Sequence, residues 1–348
     1  AIEPRQAGPS SRQGAMNITG ICINGDVVRF GGSLERLAED LNYFQQCGFD
    51  GVEISVDGLD AVIGGRLEQS QVDRIRAITE QFDFVYTVHP PGRMNLAFPP
   101  SEPGGTPDLA LEKAVFAACL DFCAAIGAKV LVYHSGLIAL HEVAYGLRSL
   151  PDEEDVEAGR VREVSALGEV LPLAAEHGVI VAMKNRDPHP WEIATLLRAG
   201  RLPDYLLTYH SGLSIPALVH QVREVNHANL GLTLDLGHLM LAANVCGFDY
   251  LEAIRQAAPY VRHLHGHDNF GPLGSVFDDL HERIPYGDGD LHLPPGWGTI
   301  PHLESLAQLS GYEGLYVLEI RPRFRGHFAD ALQTTRNLIQ QVQHWTRS

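Results

Sequence analysis

Short apolar segments alternate along this chain with longer segments in which apolar residues recur three or four positions apart. The short segments are rich in β-branched residues and bounded by turn residues, which is typical of buried strands. The longer segments have the periodicity of amphipathic helices. Strands are predicted at residues 18–23, 51–55, 83–89, 129–134, 179–183, 230–235, 261–265 and 314–319.

The helical pattern is clearest at residues 33–47, where apolar positions share one face and Gly48 follows as a typical helix end. Asp108 is expected to cap a helix over residues 108–126. The segment 191–229 is longer than one crossover requires, so we expect it to hold one helix plus an insertion. Further helices are predicted at residues 69–82, 164–174 and 328–345.

Eight predicted strands alternating with about eight helices indicate an α/β fold, a single closed (β/α)8 TIM barrel rather than an open doubly wound sheet. No Gly-x-Gly-x-x-Gly motif follows the first strand, which argues against a dinucleotide-binding fold. We expect the barrel to occupy residues 16–348. Residues 1–15, rich in Pro, Gly, Ser, Gln and Arg, are predicted to be a flexible N-terminal extension or a segment left by cloning.

The predicted strands end in polar residues that are suited to chemistry. In a parallel barrel the carboxyl ends of all strands face one mouth, where functional side chains gather. Asp290 and His292 lie in the loop that follows the seventh strand. One histidine alone is more often a buried core residue, but five histidines and four carboxylates around one mouth are typical of a functional site. The strand-end residues are His89, His134, Lys184, Asp235 with His238, His265 with Asp268, and Glu319.

The stretch 232–238 carries the strongest local signal, because its strand ends in Asp235 and His238 follows three residues later. Gly237 is expected to let the backbone turn sharply, so that His238 points back toward Asp235. An oxygen and a nitrogen ligand that converge at a strand end suit a divalent metal ion. The alternative interpretation is structural: a buried aspartate accepts a loop hydrogen bond, and the histidine caps a helix.

Charge and cysteine content narrow the function classes. The chain has 43 acidic and 26 basic residues, a formal charge of −17, so long-range attraction to nucleic acid or an anionic membrane is not expected. Its five scattered cysteines do not form a disulfide framework, which favours a reducing compartment and a cytoplasmic location. We expect no signal peptide and no membrane span, since no apolar run is long enough for either.

These residues make the chain resemble the xylose isomerase-like barrel superfamily, which includes sugar isomerases and epimerases, inosose dehydratases and endonuclease IV. The resemblance spans roughly residue 16 to the C-terminus, and its specific parts are Asp235-x-x-His238, His265-x-x-Asp268, the segment 287–298 and Glu319. For the epimerases it implies one divalent ion (Mn, Mg, Zn or Co) on Asp235, His265, Glu319 and a strand-five glutamate, with His238 on a substrate oxygen.

The resemblance to endonuclease IV implies more ligands. Eight of the nine metal-ligand positions of that enzyme carry the right residue type here. Beyond the set already named, they are His89, His134, His238, Asp290 and His292.

The ninth position departs from the family, which has Glu-Asn where this chain has Lys184-Asn185. A protonated ammonium cannot ligate a cation and would repel one nearby. Three interpretations remain open. Lys184 is an inactivating substitution, or it replaces a metal charge by a fixed side-chain charge, or it is a desolvated lysine of lowered pKa that acts as an acid or base.

The expected function is that of a divalent-metal-dependent isomerase or epimerase, acting on a sugar, keto-sugar or polyol by proton abstraction next to a metal-polarised carbonyl. Glu319 and Lys184 are the candidate catalytic residues. The alternatives are a metal-dependent phosphodiester hydrolase of the endonuclease IV type, and a non-catalytic barrel that has lost a ligand at Lys184. The sequence leaves a homo-oligomer open. Candidate substrate-binding residues are His89, His134, His238 and Trp297.

Overall fold

A computed structural model of the chain describes residues 14–25, 27–99, 108–274 and 279–345. Within these ranges eight parallel strands close into a barrel, in which each strand pairs with the next along the chain and the last pairs with the first. The predicted fold class is therefore confirmed. The strands are β1 (Asn17–Asn24), β2 (Gly51–Ser55), β3 (Val85–His89), β4 (Val130–His134), β5 (Ile180–Lys184), β6 (Leu230–Asp235), β7 (Val261–Gly266) and β8 (Glu313–Leu318).

Helices surround the barrel, and several of their ends follow from local sequence. Asp108 caps its helix as predicted, because its side chain accepts a hydrogen bond from the Leu111 amide at 3.0 Å. Gly48 ends the first long helix with a φ of 87°, a conformation that glycine adopts without strain. The longer helices are α1 (Leu34–Cys47), α2 (Gln69–Thr79), α3 (Leu109–Ile126), α4 (Glu153–His177), α5 (Pro190–Arg198), α6 (Ile215–Val225), α7 (Leu236–Cys246), α8 (Tyr250–Ala257), α9 (His302–Ala307) and α10 (Phe328–Trp345).

The prediction for residues 191–229 was incomplete. The segment holds most of α5 and all of α6, joined by three short helical turns between residues 203 and 213. This insertion buries apolar side chains of its own, among them Leu196, Leu206 and Leu213. One helix was predicted because the pattern changes period too often over this short stretch for a second helix to stand out.

The main core lies between the outer faces of the strands and the helices, where aromatic and aliphatic side chains are fully buried. Inside the barrel, an apolar plug of Val130, Val132 and Ala182 lies toward the amino ends of the strands. His134 follows Val132 on the same face of β4, because alternate residues of a strand share a face. The barrel interior therefore changes from apolar to polar toward the carboxyl ends of the strands.

Most of the predicted N-terminal extension, residues 1–13, lies outside the described residues. Gly14 contacts the barrel domain, since its carbonyl accepts hydrogen bonds from the Gly311 amide at 2.7 Å and the Ser310 hydroxyl at 3.1 Å. Among the helices of the described ranges, none combines the length and apolarity that crossing a membrane requires.

Candidate functional site

The strand register brings the predicted strand-end residues to one mouth. His134 and Lys184 are partners across β4 and β5, and Asp235 and His265 are partners across β6 and β7. Glu319 follows the last residue of β8 directly. The structure therefore brings these side chains to one mouth, where most of them join one of three clusters of polar residues.

The first group, which we call the lower site, consists of Lys184, Asp235, His265 and Glu319. The Lys184 Nζ lies 2.7 Å from Glu319 Oε2 and 3.1 Å from Asp235 Oδ2. The His265 Nδ1 lies 3.5 Å from Glu319 Oε1 and 3.9 Å from Asp235 Oδ2. All four side chains are buried. The ammonium thus occupies the space among the three residues that the resemblance assigned to a metal ion.

The surroundings of Lys184 keep it protonated. Burial alone would lower its pKa, but the carboxylates of Glu319 and Asp235 outweigh that effect and raise the pKa above its ordinary value. The interpretation of Lys184 as a lysine of lowered pKa is therefore wrong. A fixed positive charge between two carboxylates fits these contacts instead.

Asp235 organises the junction between β6 and α7. Its side chain caps α7 by accepting a hydrogen bond from the His238 amide at 2.9 Å. The explanation of Gly237 as a sharp turn was wrong, because the residue lies in the first turn of α7. Glycine is required for a different reason: a Cβ at this position would collide with the ring of His267.

The second group, the upper site, consists of His238, His267, Asp290 and His292. Their ligand atoms lie within 4.8 Å of one another. The Asp290 Oδ2 lies 2.6 Å from His292 Nε2 and 3.9 Å from His238 Nε2, and the Asp290 Oδ1 lies 3.7 Å from His267 Nε2. The rings of His267 and His292 stack at 3.9 Å between centroids. Three imidazoles and a carboxylate therefore converge on one point.

Two of these imidazoles present the correct nitrogen to a metal ion. His292 Nδ1 lies 2.6 Å from the Glu319 carbonyl oxygen, and His238 Nδ1 lies 3.2 Å from the Asn185 carbonyl oxygen. Because a carbonyl can only accept, each Nδ1 donates its proton, and each neutral ring keeps a lone pair on Nε2. Both Nε2 atoms face Asp290. Such backbone partners are typical of metal-binding histidines.

The spacing of the upper site also suits a metal ion. Ligands at about 2.0–2.1 Å from a tetrahedral Zn²⁺ ion lie about 3.4 Å apart, and the separations of 2.6–3.9 Å measured from Asp290 bracket that distance. The buried Asp290 Oδ1 has no hydrogen-bond partner among the described residues. Burial alone would lower the pKa of His267, but Asp235 and Asp290 raise it to about 9. The donor set therefore fits a divalent ion. When bound, the ion would replace the proton on His267 and neutralise the charge of Asp290 in its place.

His267 was missed in the sequence, although a signal was available. It continues the two-residue period of His263 and His265, so it faces the same mouth one step beyond β7. Asp268, which was singled out instead, shapes the following loop. Its carboxylate accepts from the Gly296 amide at 2.8 Å and the Ile300 amide at 3.2 Å.

A third group at the centre of the barrel was also missed. Glu53 on β2 is fully buried, and its Oε2 lies 3.1 Å from His265 Nε2 and 3.2 Å from His263 Nε2. Burial alone would raise the pKa of Glu53, but the two histidines lower it well below its usual range. The available signal was a glutamate inside an otherwise apolar strand, which needs a buried partner.

The remaining predicted residues lie in two places. His89 and His134 form a half-buried pair with 3.0 Å between their Nε2 atoms, and desolvation lowers the pKa of both. Trp297 is 46% exposed and packs against Phe324 and His327. Their assignment to substrate binding stays a prediction.

Comparisons with known proteins agree with this architecture. A curated protein of Methanocaldococcus jannaschii, the uncharacterised protein MJ1311, is 26% identical over 155 residues, which cover 44% of this chain and 41% of that protein. The crystal structure of a D-tagatose 3-epimerase-like protein matches with a TM-score of 0.62 and 19% identity, over 92% of this chain and 98% of that one. The structure of an IolI protein with a bound zinc atom matches with a TM-score of 0.60 and 19% identity, over 93% and 98%.

At such identities the solved structures establish the fold alone. The family is shown independently, because the model of the xylose isomerase-like TIM barrel family matches residues 41–347 of the 348 residues here. The chain therefore belongs to the xylose isomerase-like TIM barrel family.

Proposed function

We propose that this protein is a sugar or polyol isomerase or epimerase that uses one divalent ion in the upper site and the Lys184 ammonium in the lower site. The observation that carries the proposal is the position of the Lys184 Nζ, 2.7 Å from Glu319 and 3.1 Å from Asp235, beside a second set of three histidines and Asp290. The two sets adjoin, since His238 and His267 also lie within 4.8 Å of the carboxylates of Asp235 and Glu319. The second set does not depend on the strand-five position.

The charges at the two sites leave a role for a bound cation. The carboxylates of Glu53, Asp235, Asp290 and Glu319 lie in or beside the two sites. The Lys184 ammonium faces two of them, and against the effect of burial these carboxylates raise the pKa of His265 and His267 to about 9. A divalent ion in the upper site would displace the His267 proton and take over its compensation of Asp290.

The chemistry can be divided among the residues. A divalent ion, when bound, polarises a substrate carbonyl and lowers the cost of removing a proton from the adjacent carbon. Glu319 is the carboxylate that accepts this proton. Burial alone would raise its pKa, but Lys184 and His265 hold it well below the usual range, so the group is ionised. Because a carboxylate of low pKa is a weak base, the reaction depends on polarisation of the carbonyl.

Lys184 has a second role in this scheme. Its ammonium donates a hydrogen bond to Glu319 at 2.7 Å and, as substrate enters, can also donate to an oxygen that gains negative charge. A positioned donor of this kind stabilises an enediolate without rearrangement. His89 and His134, whose rings lie near Lys184, are proposed to bind substrate hydroxyl groups.

The comparisons support the substrate class. Several structures of similar fold belong to proteins named as 3-epimerases of ketoses, including the D-tagatose 3-epimerase-like protein and L-ribulose 3-epimerase. The IolI structure, which holds a zinc atom, supports the choice of a divalent metal.

A hydrolase of the endonuclease IV type fits less well. That alternative needs a cluster of metal ions, but the Lys184 ammonium lies where one of these ions would bind. The His89 and His134 Nε2 atoms, which would be ligands of another ion, are hydrogen-bonded to each other at 3.0 Å. The charge of −17 also opposes binding to DNA.

Exchange of substrate protons with solvent tests the proposal. The protein is incubated in D₂O with Mn²⁺ or Zn²⁺ and a panel of ketoses and inososes, and deuterium at the carbon beside the carbonyl is followed by NMR. We expect exchange that requires the metal ion and is lost in Glu319→Gln, with folding of the variant confirmed by circular dichroism. Nicking of abasic-site DNA without sugar exchange would establish the hydrolase. Inactivity in both assays would favour a non-catalytic barrel.

A further inference from the structure

Glu53 concentrates three hydrogen bonds on one oxygen in the middle of the barrel. Its Oε2 accepts from the Thr87 hydroxyl at 3.0 Å and faces the Nε2 atoms of His263 and His265 at 3.2 and 3.1 Å. Thr87 is the register partner of Glu53 on β3, and both histidines lie on β7 across the barrel. A carboxylate oxygen can only accept when ionised, so both imidazoles direct an N–H group at it.

This arrangement fixes the ring of His265. With Nε2–H directed at Glu53, the other nitrogen, Nδ1, faces the lower site, 3.5 Å from Glu319 Oε1. His265 is fully buried, and its Nδ1 has no hydrogen-bond partner among the described residues. A carboxylate that holds one nitrogen of an imidazole sets the orientation of the other, as partners of catalytic and metal-binding histidines do.

We infer that Glu53 is a positioning residue: it orients His265 so that the Nδ1 of this ring lies against Glu319, the carboxylate proposed to accept the proton. The inference rests on the proposed function for its kinetic consequence, but the orientation of His265 by Glu53 does not depend on it. The side-chain hydrogen bonds of Glu53 reach neither the upper site nor the Lys184 ammonium, so its effect on geometry passes through the imidazoles. Its charge also raises the pKa of Lys184, and Glu53→Asp, which keeps the charge, separates the two effects.

A metal ion held by Glu53, His263 and His265 is the competing interpretation, since their ligand atoms also lie within 4.8 Å of one another. The geometry points to hydrogen bonds, because both imidazole nitrogens lie at hydrogen-bond distance from the same oxygen. The hydroxyl of Thr87 donates to that oxygen as well, at 3.0 Å.

The variant Glu53→Gln tests the inference, because an amide oxygen is uncharged and has two lone pairs, whereas Oε2 of Glu53 receives three donors. The variant also removes the negative charge that favours an N–H group on the Nε2 of His265, so this imidazole is free to change its tautomer or orientation. Protein labelled with ¹⁵N-histidine and loaded with Zn²⁺ is studied by long-range ¹H–¹⁵N NMR, with His265 assigned from the spectrum of His265→Gln. We expect the Nε2–H signature of His265 in the wild-type protein and its loss in Glu53→Gln.

The kinetic arm uses a ketose identified in the exchange assay. We expect kcat of Glu53→Gln to fall by about 10- to 100-fold with little change in KM, the range found for partners of active-site histidines. Glu53→Asp should recover part of the loss because it keeps the charge. Glu163→Gln is the matched control: Glu163 is equally buried but accepts from Tyr133 at 2.6 Å outside the barrel, so it should leave the His265 signal unchanged.

An unchanged His265 signal in Glu53→Gln would overturn the inference, as would a signal that changes equally in Glu163→Gln. Loss of one bound metal ion in Glu53→Gln would establish the competing metal site instead. If no sugar is turned over by the wild-type protein, the NMR arm still decides the role of Glu53, so the two proposals fail separately.

Discussion

The lower and upper sites lie side by side at one mouth, and of the two only the lower site contains an ammonium. The lower site has two carboxylates, one imidazole and the ammonium of Lys184. The upper site has one carboxylate and three imidazoles, and no ammonium is among its members. The number of ligand residues therefore does not by itself define a metal site. The charge of the fourth residue in the set decides whether the set can bind a cation.

The size of the electrostatic effect explains this. Two unit charges 4 Å apart interact by about 4 kcal/mol at an effective dielectric constant of about 20. A divalent ion at that distance from the Lys184 ammonium would therefore be repelled by about 8 kcal/mol. The ammonium also contacts the carboxylate oxygens that such an ion would need as ligands. Its Nζ lies 2.7 Å from Glu319 Oε2 and 3.1 Å from Asp235 Oδ2. The set of the upper site contains no lysine or arginine, although the Arg321 guanidinium lies 3.8 Å from Asp290 Oδ2 and donates to the Asp290 carbonyl at 3.0 Å. Backbone carbonyls accept from the Nδ1 atoms of two of its histidines and so fix their orientation.

Replacing His292 tests the upper site, and among the metal-binding variants it should have the largest effect on Zn²⁺ affinity. His292→Ala removes the nitrogen closest to Asp290, at 2.6 Å. Since loss of an outer partner alone costs about 10- to 100-fold in metal affinity, we expect loss of this direct ligand to weaken Zn²⁺ binding by more than about 100-fold. Elemental analysis and isothermal titration measure the change. His327→Ala, which removes a half-exposed histidine, is the control. Unchanged metal content would make these residues substrate binders instead.

Replacing Lys184 by methionine tests the lower site. Lys184→Met leaves Asp235 and Glu319 buried without their cation, and removal of one partner of a buried ion pair costs about 3–5 kcal/mol. We expect the free energy of unfolding of the metal-free protein to fall by that amount, measured by chemical denaturation. The control is Lys113→Met, whose partner Glu169 is exposed, and which should cost about 1 kcal/mol or less. Equal effects of the two variants would contradict the account of the lower site.

Gly237 offers a finer test of the upper site. Gly237→Ala should weaken metal binding by about tenfold or more, because its Cβ would displace the His267 ring and ligands tolerate shifts of only about 0.5 Å. Gly168→Ala is the matched control, since Gly168 is an exposed helical glycine with open space around it. That change should leave metal affinity unaltered and stabilise the protein by up to about 1 kcal/mol. Unaltered affinity in both variants would show that His267 does not bind the ion.

Much of the fold was predictable because the barrel repeats one pattern. The alternation of period-two and period-3.6 segments predicted eight strands, all of whose ends were correct to within two residues. These strand ends located Asp235, His265 and Glu319. The prediction was incomplete in 191–229, where short helical turns leave no sustained period. It also missed His267 and Glu53, whose importance depends on partners from other strands, Asp235 on β6 and His265 on β7.

The role of Lys184 could not be predicted from the sequence either, because it too depends on residues from other strands. Its pKa depends on the sum of burial and of contacts with Asp235 and Glu319, which come from β6 and from the residue after β8. A lysine in an apolar pocket and a lysine between two carboxylates have the same letter in the chain but opposite pKa shifts. Only the three-dimensional arrangement separates these two cases.

The central claim is that the Lys184 ammonium takes the place of a divalent ion, and the metal stoichiometry of Lys184→Glu tests it most directly. A carboxylate beside Asp235, His265 and Glu319 should convert the lower site into a metal site. Native mass spectrometry should then count one ion per wild-type chain and two per Lys184→Glu chain. The second ion should add about 2.7 kcal/mol of stability at a metal concentration of a hundred times its dissociation constant.

Lys184→Gln, which removes the ammonium without adding a carboxylate, is the matched control and should bind the second ion more weakly. Two ions in the wild-type protein would contradict the account. So would a single ion in Lys184→Glu together with lower turnover, because the lysine would then act in the reaction without standing in a metal site.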